Sequence, residues 1–204
     1  MAIFRLMEIK DGVQSFYPKS TEEWRQWLEV NHRHEKSVWL ILYKMDSAKP
    51  HITYPESVDE ALCFGWVDSK PNKRDAESYY LFFAKRNPKS NWSRINKEKV
   101  ERLLKEGRMA PAGLEMVEIA KANGSWDALN DVENLIVPDD LQKVLNEYPP
   151  ATQHWENFPR SIKRGILEWI LNAKRADTRQ KRIEETATLA QKNKRANQYP
   201  PQNN

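Results

Sequence analysis

The run SVWLILYKM, beginning at Ser37, constrains the fold of this chain more than any other stretch. Its residues are mostly β-branched or aromatic, and both alternating sets, Val38/Leu40/Leu42 and Trp39/Ile41/Tyr43, are apolar. A strand with one wet face would alternate with polar residues, so this one fits a central strand covered on both sides. Two further runs, WVDSK from Trp66 and YYLFFAKR from Tyr79, read as strands joined by the turn-like PNKRDAES, which makes a hairpin. Helical patterns surround them. KSTEEWRQWLEVNH sets Ser20 three residues before Glu23, a capping-box spacing, and places Trp24, Trp27 and Leu28 on one face. YPESVDEALCFG has Pro55 in a first turn, a second capping spacing at Ser57 and Glu60, inward Val58, Ala61 and Leu62, and Gly65 as its stop. WSRINKEKVERLLKEG aligns Asn96, Val100, Leu103 and Leu104 before Gly107. PAGLEMVEIAKANG starts near Pro111, turns Leu114 and Val117 inward and ends at Gly124.

Residues 1–124 thus read as an α/β main domain. The β-type runs then vanish. Residues 125–138 read as a connector that Trp126, Leu129 and Leu135 pin to the main body, and 139–195 as a helical C-terminal domain. There PDDLQKVLNEYPPA ends at its prolines, and FPRSIKRGILEWILNAKRA carries a stripe of Ile162, Ile166, Trp169, Ile170 and Ala173, expected to pack on the main domain or a second chain. DTRQKRIEETATLAQKNK, with Asp177 and Thr178 as candidate caps, is so sparsely apolar that it needs a surface to lie on. Residues 196–204 are expected to be a disordered tail. The fold class is α+β: a small mixed β-sheet with packed helices, followed by an all-helical C-terminal segment.

Composition narrows the function classes. Eight Trp, seven Tyr and six Phe supply enough buried area to offset an apolar content of 39%. No apolar run approaches the ~20 residues needed to cross a bilayer, and the N-terminus lacks the pattern of a secretory leader. The single cysteine cannot form an internal disulfide, and no Cys/His spacing suits zinc, so a cytoplasmic protein with no metal or cofactor is expected. The net charge of +4 is mild. Two lopsided basic stretches, 85–108 and 160–195, could attract nucleic acid, or could be solvated helix faces.

The richest chemistry lies in ALCFGWVDSKPNKRD and the residues after it. Asp68 follows the helix stop at Gly65, on a rim where elements meet. Arg74 and Arg86 could clamp a phosphate or carboxylate, Trp66 and Trp92 could stack on a planar group, and Ser90, Ser93 and Asn96 could offer hydrogen bonds at a helix start. Each has a plainer use: Trp66 and Trp92 as core, the serines as caps, Asp68 in a structural hydrogen bond or salt bridge to Arg74, and Cys63 as a small buried hydrophobe rather than a nucleophile.

The runs EALCFGWVDS, NPKSNWSRINKEKVERLLKEGRMAPAG and AKRADTRQKRIEETATLAQ together resemble the bacterial bacteriocin-protection family, also called YdeI/OmpD-associated, over most of residues 15–195. The resemblance implies an intracellular protein linked to survival of bacteriocins, antimicrobial peptides or envelope stress, with no established reaction. It marks Cys63, Gly65, Trp66, Asp68, Arg74, Arg86, Trp92, Ser93 and Asn96 as one candidate block and Lys174, Thr178, Arg179 and Arg182 as a second. Ser69 departs from the glycine expected after the aspartate, which bears on whether the backbone turns tightly there. The leading expectation is a non-catalytic binding or adaptor protein taking a small anionic or planar ligand, or a partner peptide, at the GWVDS/NWSRIN surface. Nucleic-acid binding and an enzyme using Asp68 or Cys63 are the alternatives, and a homo-oligomer is a further option.

Overall fold

The computed structural model describes residues 8–198. The chain divides into two compact units, Met1–Asp127 and Ala128–Asn204.

The first unit is built on a five-stranded mixed sheet. Strands β1 (Ile9–Lys10), β2 (Val13–Phe16), β3 (Ser37–Tyr43), β4 (Trp66–Lys73) and β5 (Ser78–Lys85) lie in the order β1-β2-β3-β5-β4. The pair β2/β3 is parallel and the others antiparallel. The expected hairpin is β4/β5, and β3 is the central strand. Its two faces are both buried: Val38, Leu40 and Leu42 join the helix-side core, whereas Trp39 packs edge-on to Phe82 and Tyr80 beneath the ammonium of Lys10. The short β1/β2 hairpin was not expected from the sequence. Its turn is Asp11-Gly12, both with positive φ, the dipeptide that a two-residue hairpin turn favours.

Helices α1 (Thr21–Asn31), α2 (Tyr54–Cys63), α3 (Arg94–Lys105) and α4 (Pro111–Ala122) supply the rest of this core. Trp24, Trp27 and Leu28 of α1 are buried, and the Trp24 indole donates to the Ser57 carbonyl at 3.0 Å, fixing α1 on α2. Each such side chain contributes about 1.5–3 kcal/mol by burial. Two expectations need correction. The capping box of α2 is Thr53/Glu56, and Ser57 and Glu60 lie buried within the helix. Leu104 and Leu114 are exposed, while Val100, Leu103 and Val117 face inward.

The second unit is all-helical: α5 (Asn130–Glu133), α6 (Asp139–Glu147), α7 (Ala151–Asn157), α8 (Arg160–Leu171) and α9 (Ala176–Gln191). The sequence reading did not separate α7. Ile166 and Ile170 do not await another chain; they close the core of their own unit with Leu141, Leu145, Trp155 and Ile183. Helix α9 buries Ile183 together with Thr186, Ala187 and Ala190, the last three small enough to let neighbouring helices approach, and α6, α7 and α8 pack against it, which supplies the surface it needs. It begins after Arg175, with no side-chain cap; Asp177 lies in its first turn and accepts from the Thr178 amide at 2.8 Å. Trp126 packs on the first core, but Leu129 and Leu135 belong to the second. Ala196, placed by the sequence reading in a tail, is buried in that second core, and residues 199–204 lie outside the described residues. Among the described residues no helix is long and apolar enough to cross a membrane.

Candidate functional site

Strand β4 forms one edge of the sheet, and its irregularity builds a cleft. The register passes from Asp68↔Phe83 to Pro71↔Leu81, so β4 carries one more residue than its partner, a β-bulge. A proline is tolerated there because an edge strand has backbone amides to spare. The bulged edge, the start of α2 and two positions of β5 enclose a cleft of about 570 Å³ lined by Tyr54, Asp68, Ser69, Lys73, Tyr79 and Leu81, among others. At its wall the Tyr54 hydroxyl donates to Asp68 Oδ2 at 2.9 Å. Burial and that carboxylate push the Tyr54 phenol up to about 12, so it remains a donor at neutral pH. Among the described residues no cation forms an ion pair with Asp68. Ser69 is exposed and has no positive φ, so the backbone here suits serine as well as glycine. Tyr54, Lys73 and Tyr79 were missed as site residues; the strand alternation that puts Lys73 opposite Tyr79 was the available signal.

Arg74 and Arg86 flank opposite ends of the β4/β5 hairpin: Arg74 follows the last residue of β4, and the Arg86 amide donates to the Gly65 carbonyl just before its first. They cannot clamp one ligand. Nor does Arg74 bridge to Asp68. It pairs with Glu8 and, at 2.6 Å, with Asp75, donates to Ser78 at 2.9 Å and lies over the Tyr80 ring. Arg74 and the Tyr80 hydroxyl in turn hold the Glu8 carboxyl below its usual range.

Arg86 is 5% exposed. Its guanidinium lies 3.7 Å from the centroid of Trp92, and Nη2 donates to the Asn91 carbonyl at 2.5 Å, but Nε and Nη1 have no partner. Burial pushes this guanidinium down to about 10, still charged at neutral pH. Trp92, packed between Arg86 and Trp126, has no free face for a planar ligand, and Trp66 is buried edge-on to Trp27 with its indole nitrogen unpartnered. Both tryptophans are therefore core residues rather than stacking platforms. Ser93 caps α3 by accepting the Asn96 amide at 3.3 Å, and Ser90 donates to the Asn87 carbonyl.

Part of each basic stretch is answered within its own unit. The buried carboxylate of Asp59 takes Lys99 and Arg102, and that of Glu60 takes Arg25 at 2.8 Å and Arg108 at 2.5 Å. In the second block, Arg179 makes a two-pronged contact to Asp140 at 2.7 and 2.9 Å, Arg182 donates to the Trp169 carbonyl and covers its ring, and Thr178 bonds to Asp177. Lys174 is exposed. These arginines staple α9 to α6 and α8. Such internal pairing withdraws these particular cations from the phosphate contacts that nucleic-acid recognition would use. Cys63 is fully buried and its thiol is raised to about 11, the opposite of an activated nucleophile.

Fold and site together define a two-unit α+β protein, a helix-backed mixed sheet with an aromatic cleft at its edge and a separate helical unit. Within the second unit, residues 134–193 match the family model described as bacteriocin-protection, YdeI or OmpD-associated. Residues 16–116 match a different family model, a domain of unknown function (DUF8412), and the EALCFGWVDS and NWSRIN motifs fall in that segment. No curated protein and no solved structure matches the chain. The family description is what links the protein to a bacteriocin-protection-related role.

Proposed function

We propose that the first unit is a non-catalytic binding module that takes a basic side chain of a partner peptide in the cleft between Tyr54, Asp68 and Tyr79, in the service of bacteriocin protection. The observation that carries this reading is the Asp68 carboxylate, held by the Tyr54 hydroxyl at 2.9 Å in the wall of a cleft of about 570 Å³ that Lys73 also lines, and in no ion pair with a cation among the described residues. A carboxylate beside aromatic rings suits an ammonium or guanidinium group, which gains a charge-assisted hydrogen bond and a favourable ring face. This shifts the expected ligand away from a small anion, which Asp68 would repel. Tyr79 and Leu81 offer apolar contact to the flanking residues of the peptide.

The test is calorimetric titration of the intact protein with a synthetic amphipathic Lys/Leu peptide, repeated with Asp68→Asn. A hydrogen bond to a charged group is worth about 1.5–3 kcal/mol, so the variant should bind about tenfold or more weakly, with the difference shrinking at high salt. A peptide that fails to bind the native protein, or binds Asp68→Asn equally well, overturns the reading.

A further inference from the structure

A buried guanidinium normally meets a carboxylate or a full set of carbonyls, because taking a charge out of water is costly unless it is paired. Arg86 has neither. Among the described residues it forms no ion pair, the Asn91 carbonyl takes one N–H of Nη2, and the N–H bonds of Nε and Nη1 have no acceptor. The Trp92 ring covers one flat face of the group, which offsets part of the cost of burial but leaves the in-plane donors untouched.

The geometry of the guanidinium makes the remainder specific. Nε–H and one Nη2–H lie parallel along one edge, and the other Nη2–H and one Nη1–H lie parallel along the next. Whichever of these edges the Asn91 carbonyl occupies, the other keeps a two-pronged fork that matches two oxygens of one oxyanion. The surroundings hold the fork in place: the Arg86 amide is tied to Gly65 at 3.0 Å, and the Trp92 amide donates to the Ser125 carbonyl at 3.3 Å, so the backbone at both ends of the 86–92 loop is fixed. The acids that neutralise neighbouring cations, Asp59 and Glu60, are spent on Lys99, Arg102, Arg25 and Arg108.

We propose that Arg86 is the receptor for a small external oxyanion, a phosphate or carboxylate group, bound at the edge of the guanidinium that Asn91 leaves free. The site is distinct from the Tyr54/Asp68 cleft and selects the opposite charge, so either can fail without the other. At 5% exposure of Arg86, access is narrow, which limits the ligand to a small group or the tip of a larger one.

The experiment compares the thermal midpoint and the arginine Nε–H spectrum of the intact protein in sodium phosphate, sodium acetate and sodium chloride at matched ionic strength and pH. Phosphate or acetate should raise the midpoint by a few degrees over chloride and move one buried Nε–H resonance, assigned to Arg86 by its absence from Arg86→Lys. A response to phosphate alone assigns a phosphate group, and a response to acetate alone a carboxylate. Arg86→Lys keeps the charge and removes the fork, so it should lose the dependence on anion. A native midpoint and spectrum equal in all three salts would mean that solvent meets these donors and would overturn the proposal. So would an anion effect that persists undiminished in Arg86→Lys. If that variant does not fold, the native spectrum still decides, since the Arg86 resonance is then assigned by its contacts to the Trp92 ring.

Discussion

Cys63 and Arg86 show how differently two residues of one motif block are determined. Cys63 ends α2 with no exposed surface, and a β-carbon added at Gly113 of α4 would stand 2.2 Å from its carbonyl oxygen, so the two helices meet backbone to backbone there. Burial is the main cause that lifts the thiol from its ordinary 9.0 to about 11, with Glu60 adding to the rise and Arg25 and Arg108 opposing it. Between those values the folded chain keeps a proton that the unfolded chain has released. The stabilisation is therefore complete below about pH 9 and is lost as pH rises through about 11, an interval corresponding to about 2–3 kcal/mol. Urea denaturation should show the native protein losing stability across this window more steeply than Cys63→Ala, and a thiol reagent at pH 8 should label Cys63 only once the chain unfolds. Rapid labelling of the folded protein would contradict this. The burial of Cys63 was legible because apolar neighbours at helical spacing enclose it. That of Arg86 was not, because composition does not say which cation of a basic run faces inward; only the loop that brings Trp92 over it does so.

At the scale of elements, α2 organises the first unit through its acids. Asp59 and Glu60 sit side by side in sequence, yet Glu60 is the deeper, its side chain 3% exposed against 12% for Asp59. Glu60 joins Arg25 of α1 to Arg108, which follows α3, and Asp59 joins Lys99 and Arg102 of α3. Breaking a buried pair from one side leaves the partner charges stranded, at about 3–5 kcal/mol. Glu60→Gln, nearly the same shape, should lower the unfolding free energy by an amount of that order, and Asp59→Asn by less because Arg102 is half-exposed. Denaturation curves check both, and a loss below about 0.5 kcal/mol for Glu60→Gln would show that Arg25 and Arg108 recover their hydration. The sequence displayed these acids but disguised their role, since Ser57 and Glu60 mimic a capping box. Pro55 settles the matter physically: with Thr53 as the cap, the proline falls in the first turn, where its missing N–H costs nothing. The unexpected β1/β2 hairpin had its signal in the Asp11-Gly12 turn dipeptide, whereas a seven-residue helix such as α7 is too short to show a period.

At the scale of the molecule, the chain builds two cores, and the residues around the boundary sort between them: Trp126 into the first, Leu129 and Val132 into the second. The switch from mixed to all-helical patterning was visible in sequence, because strands and helices bury their faces with different periods. Which core would claim the C-terminal stripe was not, since amphipathicity gives a helix a face to bury but not its partner. The structure pairs that stripe within its own unit: Ile166, Leu167 and Ile170 of α8 meet Ile183 and Ala187 of α9, with Leu141 and Leu145 of α6 in the same cluster. Arg179 to Asp140 adds a charged link between α9 and α6, and Arg164 to Glu133 one between α8 and α5. A core closed by its own helices should lose stability locally when it is cut. Ile170→Ala should cost the second unit about 2–5 kcal/mol, read as faster hydrogen exchange of its core amides, while the β3 and β5 amides keep their protection. A fragment carrying residues 128–204 should likewise retain helical circular dichroism and melt cooperatively. Loss of protection spread evenly over the sheet and the helices would mean instead that the two cores unfold as one, and that the family segment depends on the rest of the chain for its stability.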